Sequence, residues 1–543
     1  MIRPGNNGKA LPFLINGGLV ISGALLFAAS HPNPLVPSGL PVFAWAAFVP
    51  MFYLVRRVNF FEASLWGAFY GALSYTLFNF WLTTFHPLAG FLAGSVFLIW
   101  FALLFPLFRL AVSLFPRRGY LVQWLLWLGW EYVRTRGFLG YSYGIAGYTQ
   151  WQALLVIQIA GIFGVWGVSA LVVFPSSYLA AWLSDGASFP RFARREWLPL
   201  TLYLTALGAA LIYGCAAPRD FSARPAFRAA LVQNNADPWK GGVIQYQRNL
   251  ESLKALSRAA LTADPAPDLV VWSETAFVPR IYWQMHYRDD PASWSVVRDL
   301  LTFLEGEETP FLIGNDDGRK ENGKRVDYNA ALLFRRGVLS GQYRKLRLVP
   351  FTEYFPYRKQ FPWFYDFLVN ADTHFWEPGD SPVVFEIDVP RLERTARFST
   401  PICFEDTFGY LSRDAVRLGA EVIVNITNDS WSGSLVCQMQ HLSMSVFRAV
   451  ENRRSVVRAA TSGQTASIAP DGRVTAEAPP FTETVLSVEV PLEDGLTPYT
   501  RFGDIWGRAF ALLAALALFT GMVRGILNRD FRGPGAGAKM RAS

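Results

Sequence analysis

Long stretches of this chain carry almost no charge, and that feature restricts its possible folds more than any motif does. A helix needs ~20 apolar residues to cross the hydrocarbon core of a bilayer. Runs of about that length lie near 11–30, 41–56, 62–82, 90–113, 119–134, 155–184 and 197–216, with one more at 507–526. Backbone in lipid has no water to bond to, so such runs are read as helices. The composition agrees, since 52% of residues are hydrophobic and only 17% are charged, too apolar for an ordinary soluble chain. The formal charge of +8 calls for no nucleic-acid partner, because arginines flanking the spans supply much of it. The first run, with Arg3 and Lys9 ahead of it and Ala28-Ala29-Ser30 at its end, has a second reading as a cleaved signal peptide. Apolar runs continue immediately, which favours a retained helix.

Orientation follows from the basic residues in the short connections. Arg3 and Lys9 precede the first run, Arg56 and Arg57 follow the second, Arg117 and Arg118 the fourth, and Arg191, Arg194 and Arg195 the sixth. Connections 31–40 and 83–89 carry no Arg or Lys, and only Arg134 and Arg136 break the alternation. The expected division is a seven-span membrane domain over 1–217, an extracytoplasmic domain over 218–505, a closing helix over 506–527 and a basic cytoplasmic tail over 528–543.

The segment 218–505 changes character. Apolar β-type runs at 226–233, 268–272, 311–314, 330–334, 398–402, 421–426, 455–460 and 485–490 alternate with helical stretches such as 243–262 and 436–453, the pattern of an α/β domain. Gly337 and Asp471-Gly472 mark hairpin turns.

Three residues of this segment invite a chemical reading. Cys403 follows an expected strand and precedes a stretch, 405–418, with the acidic first turn and apolar spacing of a helix. Such an elbow gathers backbone N–H groups and the positive end of a helix dipole, which favours a thiolate and an oxyanion. Glu274 sits at the C-terminal end of an apolar strand, suited to a general base, and Lys345 follows a hairpin strand in an aromatic-rich loop that also carries Glu353. Taken singly, each reads more simply as a buried thiol, a solvated charge or an ion pair. The other cysteines, Cys215 and Cys437, lack such surroundings, and three cysteines make no disulfide framework. The five histidines show no metal-ligand spacing, so neither a metal nor a cofactor is expected.

Together, Glu274, Lys345 and Cys403, in that order and each at a strand end, resemble the Glu-Lys-Cys triad of the nitrilase (carbon–nitrogen hydrolase) superfamily. NDSW at 428–431 and the stretch 441–472 resemble that superfamily's later segments. With seven spans before the domain and one after it, the chain resembles the bacterial apolipoprotein N-acyltransferases over nearly its whole length. WEYVRTRGFLGYSYGIAGYTQWQ (130–152), WSETA, LVPFTEYFP and QHLSMSVFRAVENRR carry the local likeness. The resemblance implies a polytopic α-helical membrane domain joined to an αββα sandwich in the bacterial cytoplasmic (inner) membrane. It implies transfer of an acyl chain from a phospholipid to the N-terminal amine of a diacylated apolipoprotein. Cys403 would then be the acyl-thioester nucleophile, Glu274 the base and Lys345 the cation at the tetrahedral intermediate. Glu353, Glu405, Trp239 and Asn329 match supporting residues, while Phe404 stands where the family commonly has tyrosine.

Two bulky lipid substrates suit a two-step transfer with ping-pong kinetics. The aromatic stretch 351–376 suits either contact with the membrane lipids at their interface or ordinary core packing. Two other readings stay open at this point, a membrane-anchored amidase that passes the acyl group to water, and a lipid-binding or transport protein without catalysis.

Overall fold

A computed structural model of the chain describes residues 7–85, 87–218, 220–237, 240–370 and 375–530. Its N-terminal part is helical. Among the described residues, five helices are long and apolar enough to cross a membrane: Leu11–Ser30, Ala89–Leu114, Val165–Asp185, Trp197–Ala216 and Ile505–Leu527. Leu202, Ile212, Leu512 and Leu516 stay exposed on two of them, as lipid-facing side chains would.

The other apolar runs fold differently. The run at 41–56 forms two short helices, Pro41–Ala44 and Val49–Arg57, joined by a turn. Proline stands at the start of each, where its missing N–H costs nothing. The runs at 62–82 and 119–134 form helices of 19 and 15 residues, Phe60–Phe78 and Gly119–Val133. In the run at 155–184 the long helix begins only at Val165, because Gly164 takes φ +65° and interrupts the ladder. Phe60–Phe78 packs on the helix Pro87–Leu114 through Gly67 and Gly71. A Cβ on either glycine would stand 2.3 Å from the carbonyl oxygen of Phe101 or Phe97, so small residues four apart permit the close approach.

Between these helices lie two six-stranded mixed sheets. The first contains β1 (Ala226–Gln233), β2 (Leu269–Trp272), β3 (Phe311–Glu321), β4 (Lys324–Arg335), β5 (Val338–Arg344) and β12 (Thr484–Pro491), in the order β12-β1-β2-β3-β4-β5. The second contains β6 (Val384–Val389), β7 (Arg394–Ser399), β8 (Val422–Thr427), β9 (Ser455–Ala460), β10 (Ala466–Ile468) and β11 (Val474–Glu477), in the order β11-β10-β9-β8-β7-β6. The strands β1, β2 and β3 run parallel, as do β7, β8 and β9.

Alternation along each strand builds the layers. Phe227, Ala229 and Leu231 of β1 and Leu269 and Val271 of β2 meet Phe398, Val422, Val424 and Ile426 of the other sheet in one apolar core. The opposite side chains of the first sheet, including Val232, Trp272 and Ile313, pack under the helices Gly242–Leu261 and Pro291–Glu305 through Leu250, Val297 and Leu300. On the far side of the second sheet lies the helix Leu435–Asn452, buried from Val436 to Asn452. The result is the expected αββα sandwich.

That last helix is buried all round because the membrane helices close over it. Trp81 donates to Gln440 Oε1 at 3.0 Å, and Gln440 Nε2 donates to the carbonyls of Pro32 and Phe78, each at 3.1 Å. One apolar cluster runs without a break from Val20 through Phe404 and Val446 to Leu518.

Candidate active site

Each of the three proposed reacting side chains leaves a strand end on the same side of the sandwich. Glu274 follows β2 and is buried, with Thr275 beyond it at φ +46°. The turn it makes presses on β3, where a Cβ on Gly314 would lie 2.2 Å from the Ser273 carbonyl oxygen. Lys345 comes directly after β5 and is fully buried. Cys403 is partly exposed and adopts φ +51°, a left-handed conformation that costs a non-glycine residue ~1–3 kcal/mol and gathers at functional sites.

Lys345 joins two carboxylates. Its Nζ lies 3.0 Å from Glu274 Oε1 and 2.9 Å from Glu353 Oε1. Asn329 Nδ2 donates to Glu274 Oε1 at 2.8 Å, and the Asn428 backbone N–H donates to Glu274 Oε2 at 2.9 Å. Glu353 is held in turn by the Val349 N–H at 2.9 Å. Burial alone would lower the Lys345 ammonium, but Glu274 and Glu353 outweigh it and hold it well above the ordinary lysine range. The group stays a cation.

The surroundings of Cys403 oppose the expected thiolate. Burial, and after it the Glu274 carboxylate, push the thiol well above its usual value, with Lys345 opposing. The expected dipole is also missing. The helix read over 405–418 is a 3₁₀ turn, Cys403–Thr407, followed by an α-helix only at Gly409–Arg417. Side chains, two of them from the helix Leu435–Asn452, take the carbonyls a helix would need. Arg448 donates to the carbonyls of Asp406 and Thr407, Thr407 Oγ1 to that of Phe404, and His441 Nε2 lies 3.2 Å from that of Cys403.

Glu405 is fully buried and clamps the lysine loop to the cysteine elbow. It accepts from the N–H groups of Leu346, Arg347 and Ile402 at 2.7, 3.0 and 2.8 Å, and from Tyr343 Oη at 2.8 Å. Burial lifts its carboxyl to about 7, against the pull of those backbone donors. Phe404 turns its ring into the shared apolar cluster and meets Phe408 edge-on at 4.9 Å, a packing role that needs no hydroxyl. Trp239 lies outside the described residues.

Two features were hidden in the sequence. Asn428, whose backbone N–H holds Glu274, stood inside NDSW with no mark of that role. His441, which showed no ligand spacing, is bracketed by Asp406 and Asp429 from two other segments.

An N-terminal match and a C-terminal match divide the chain as the two halves of the fold do. The family model described as Apolipoprotein N-acyltransferase N-terminal domain matches residues 22–178, and the one described as Carbon-nitrogen hydrolase matches 228–495. Relatives run the full length. Apolipoprotein N-acyltransferase 1 of Treponema denticola is 44% identical over 96% of this chain and 98% of its own. The protein of the same name from Treponema pallidum is 45% identical over 94% and 96%. Apolipoprotein N-acyltransferase of Geobacter metallireducens is 34% identical over 92% and 94%. Among solved structures, a nitrilase-superfamily amidase of Nesterenkonia covers 51% of this chain and 93% of its own at 20% identity, with a TM-score of 0.34.

Proposed function

The chain belongs to the apolipoprotein N-acyltransferase family, and from that premise we propose how its residues carry out the transfer. It is an acyltransferase of lipoprotein N-acylation, with phospholipid and lipoprotein as substrates. The amidase and transport readings lose support, because the likeness to acyltransferases runs over 96% of the chain.

We assign the nucleophile to Cys403, the general base to Glu274 and the stabilising cation to Lys345. The observation that carries this is the buried Lys345 ammonium held at 3.0 Å by Glu274 and 2.9 Å by Glu353. In acylation, Glu274 takes the thiol proton while sulfur attacks the ester carbonyl carbon of the phospholipid. Lys345 steadies the oxyanion, the ester C–O bond breaks, and the proton passes to the departing lysophospholipid oxygen. In the second half-reaction the N-terminal amine of the diacylglyceryl-cysteine attacks the thioester. Glu274 takes the amine proton and returns it to sulfur as the C–S bond breaks.

Asn329 and the Asn428 N–H aim the Glu274 carboxylate, Glu353 shares the lysine, and Glu405 ties the lysine loop to the elbow. We assign Trp239 and Phe404 to the surroundings of the site. Several apolar helices and the matched N-terminal domain fit a bacterial inner-membrane protein. The proposed topology keeps seven spans in 1–217, the domain 218–505 on the extracytoplasmic side, the closing helix 506–527 and an inside tail 528–543. The tail from residue 531 lies outside the described residues.

The test uses purified enzyme, phospholipid with a labelled acyl chain and a diacylated peptide. With lipid alone, intact-protein mass spectrometry should detect one acyl group on Cys403. Adding the peptide should discharge it. Cys403→Ser and Cys403→Ala should be inactive, whereas Cys215→Ala and Cys437→Ala should keep most activity. An adduct on another cysteine, or an active Cys403→Ala enzyme, overturns the assignment.

A further inference from the structure

Behind the elbow lies a closed network of buried charge that none of these steps uses. Its centre is His441, in the helix Leu435–Asn452, with a side chain 1% exposed. Nδ1 lies 2.9 Å from Asp429 Oδ2, and Nε2 lies 2.6 Å from Asp406 Oδ1. Arg458 of β9, fully buried, pairs with Asp406 and reaches Asp429 at 3.5 Å. Ser445, one turn along the helix from His441, donates to Asp406 Oδ2.

The geometry dictates the ring's protonation. A neutral imidazole has one N–H and would turn a lone pair toward one of the two carboxylates. An imidazolium donates to both. It also balances the set, since two cations then face two carboxylates with no excess buried charge. Burial alone would lower the ring, but Asp406 and Asp429 outweigh it and lift it to about 9.

Each partner of His441 belongs to the reacting apparatus. Nε2 stands 3.2 Å from the carbonyl oxygen of Cys403 itself. Asp406 lies in the 3₁₀ turn that Cys403 opens. Asp429 follows Asn428, whose N–H holds the far oxygen of Glu274 at 2.9 Å. One ring therefore bridges the segment that carries the nucleophile and the segment that aims the base.

We propose that His441, as an imidazolium bonded on both sides, is a positioning residue that sets the Cys403 thiol against the Glu274 carboxylate for proton transfer during acylation. This rests on the reading of Cys403 as nucleophile. His441 touches no reacting atom. Its effect should appear in the rate of thioester formation and leave lipid binding alone.

The experiment follows single-turnover acylation of the purified enzyme by labelled phospholipid, in wild type, His441→Gln and Asp429→Asn, with thermal unfolding measured on each. A misplacement of about 1 Å at a reacting centre costs ~10²-fold in rate. His441→Gln should form acyl-Cys403 about a hundredfold more slowly at an unchanged half-saturating lipid concentration. Asp429→Asn, which keeps an acceptor for Nδ1 but loses its charge, should be slowed in the same direction and less, and it decides the matter if His441→Gln does not fold. Wild-type acylation rates in the folded variants, or a change confined to half-saturation, overturn the proposal. So does failure of both variants to fold, which would make the network a determinant of the fold alone. A wild-type enzyme that carries no adduct on Cys403 would instead sink the nucleophile assignment.

Discussion

Glu274 has two opposed effects on Cys403, and they can be measured apart. Its negative charge, after burial, pushes the thiol well above its usual value, yet its oxygens are the proposed acceptor for the thiol proton. Alkylation of Cys403 by a neutral reagent should therefore keep accelerating past about pH 9 in the wild type. In Glu274→Gln the curve should move to lower pH, giving roughly tenfold faster alkylation at pH 8 if one pKa unit is removed. Thioester formation in the same variant should fall by ~10²–10⁴. Slower alkylation there would mean that the carboxylate does not face the thiol. His441 gives a second pH signature. Its folded value of about 9 exceeds the ordinary 6.5, so its stabilisation is fully present below about pH 6.5 and lost as pH rises through about 9. The amount is on the order of 3 kcal/mol. The unfolding midpoint should drop between pH 7 and pH 10 by more in the wild type than in His441→Gln, and equal drops would contradict it. Of the candidate site's residues, Glu274, Lys345, Cys403 and Glu353 were legible because each is a charge or thiol set against an apolar strand or an aromatic loop, whereas Glu405 entered only through the family resemblance. His441, Asp406 and Asp429 were not, because their meaning is a meeting of separate segments.

At the scale of elements, continuous apolar runs predicted strands well where both faces are buried. The run read at 455–460 is β9, and 226–233 is β1. The strand β6 was missed although Phe385, Ile387 and Val389 alternate with exposed residues, while the three-residue β10 is too short to show a period. The helix read at 405–418 failed for a tertiary reason. Its pattern is helical, but Arg448, from the helix Leu435–Asn452, engages the carbonyls of Asp406 and Thr407 in its first turn. Gly314 belongs to this scale, since its lack of a Cβ lets the turn carrying Glu274 lie against β3. Gly314→Ala would place a methyl 2.2 Å from the Ser273 oxygen. The turn must shift, and acylation should fall by about 10²-fold while the protein still purifies folded. Activity within twofold of wild type would mean that the turn yields without moving Glu274.

For the whole molecule, the sharpest question is which side of the membrane holds the sandwich. Arginine placement predicts 218–505 outside and the tail inside, and a lipoprotein N-terminus on the outer face of the cytoplasmic membrane could then reach Cys403. A phosphatase that works only outside the cytoplasm, fused near residue 300, should be active, and after residue 535 it should be silent. The reverse would separate Cys403 from its acceptor. What the sequence determined alone was local in its physics: apolar runs of about spanning length, strands and helices, and the residue types from which a Glu-Lys-Cys triad is proposed. Only the tertiary structure decided that the run at 41–56 breaks into two short helices and that Gln440 locks the sandwich to Trp81, Pro32 and Phe78. It likewise set Cys403 where burial and Glu274 push its thiol upward. These outcomes depend on charges and carbonyls brought together from segments far apart in the chain, and neither hydrophobic period nor residue spacing encodes such a meeting.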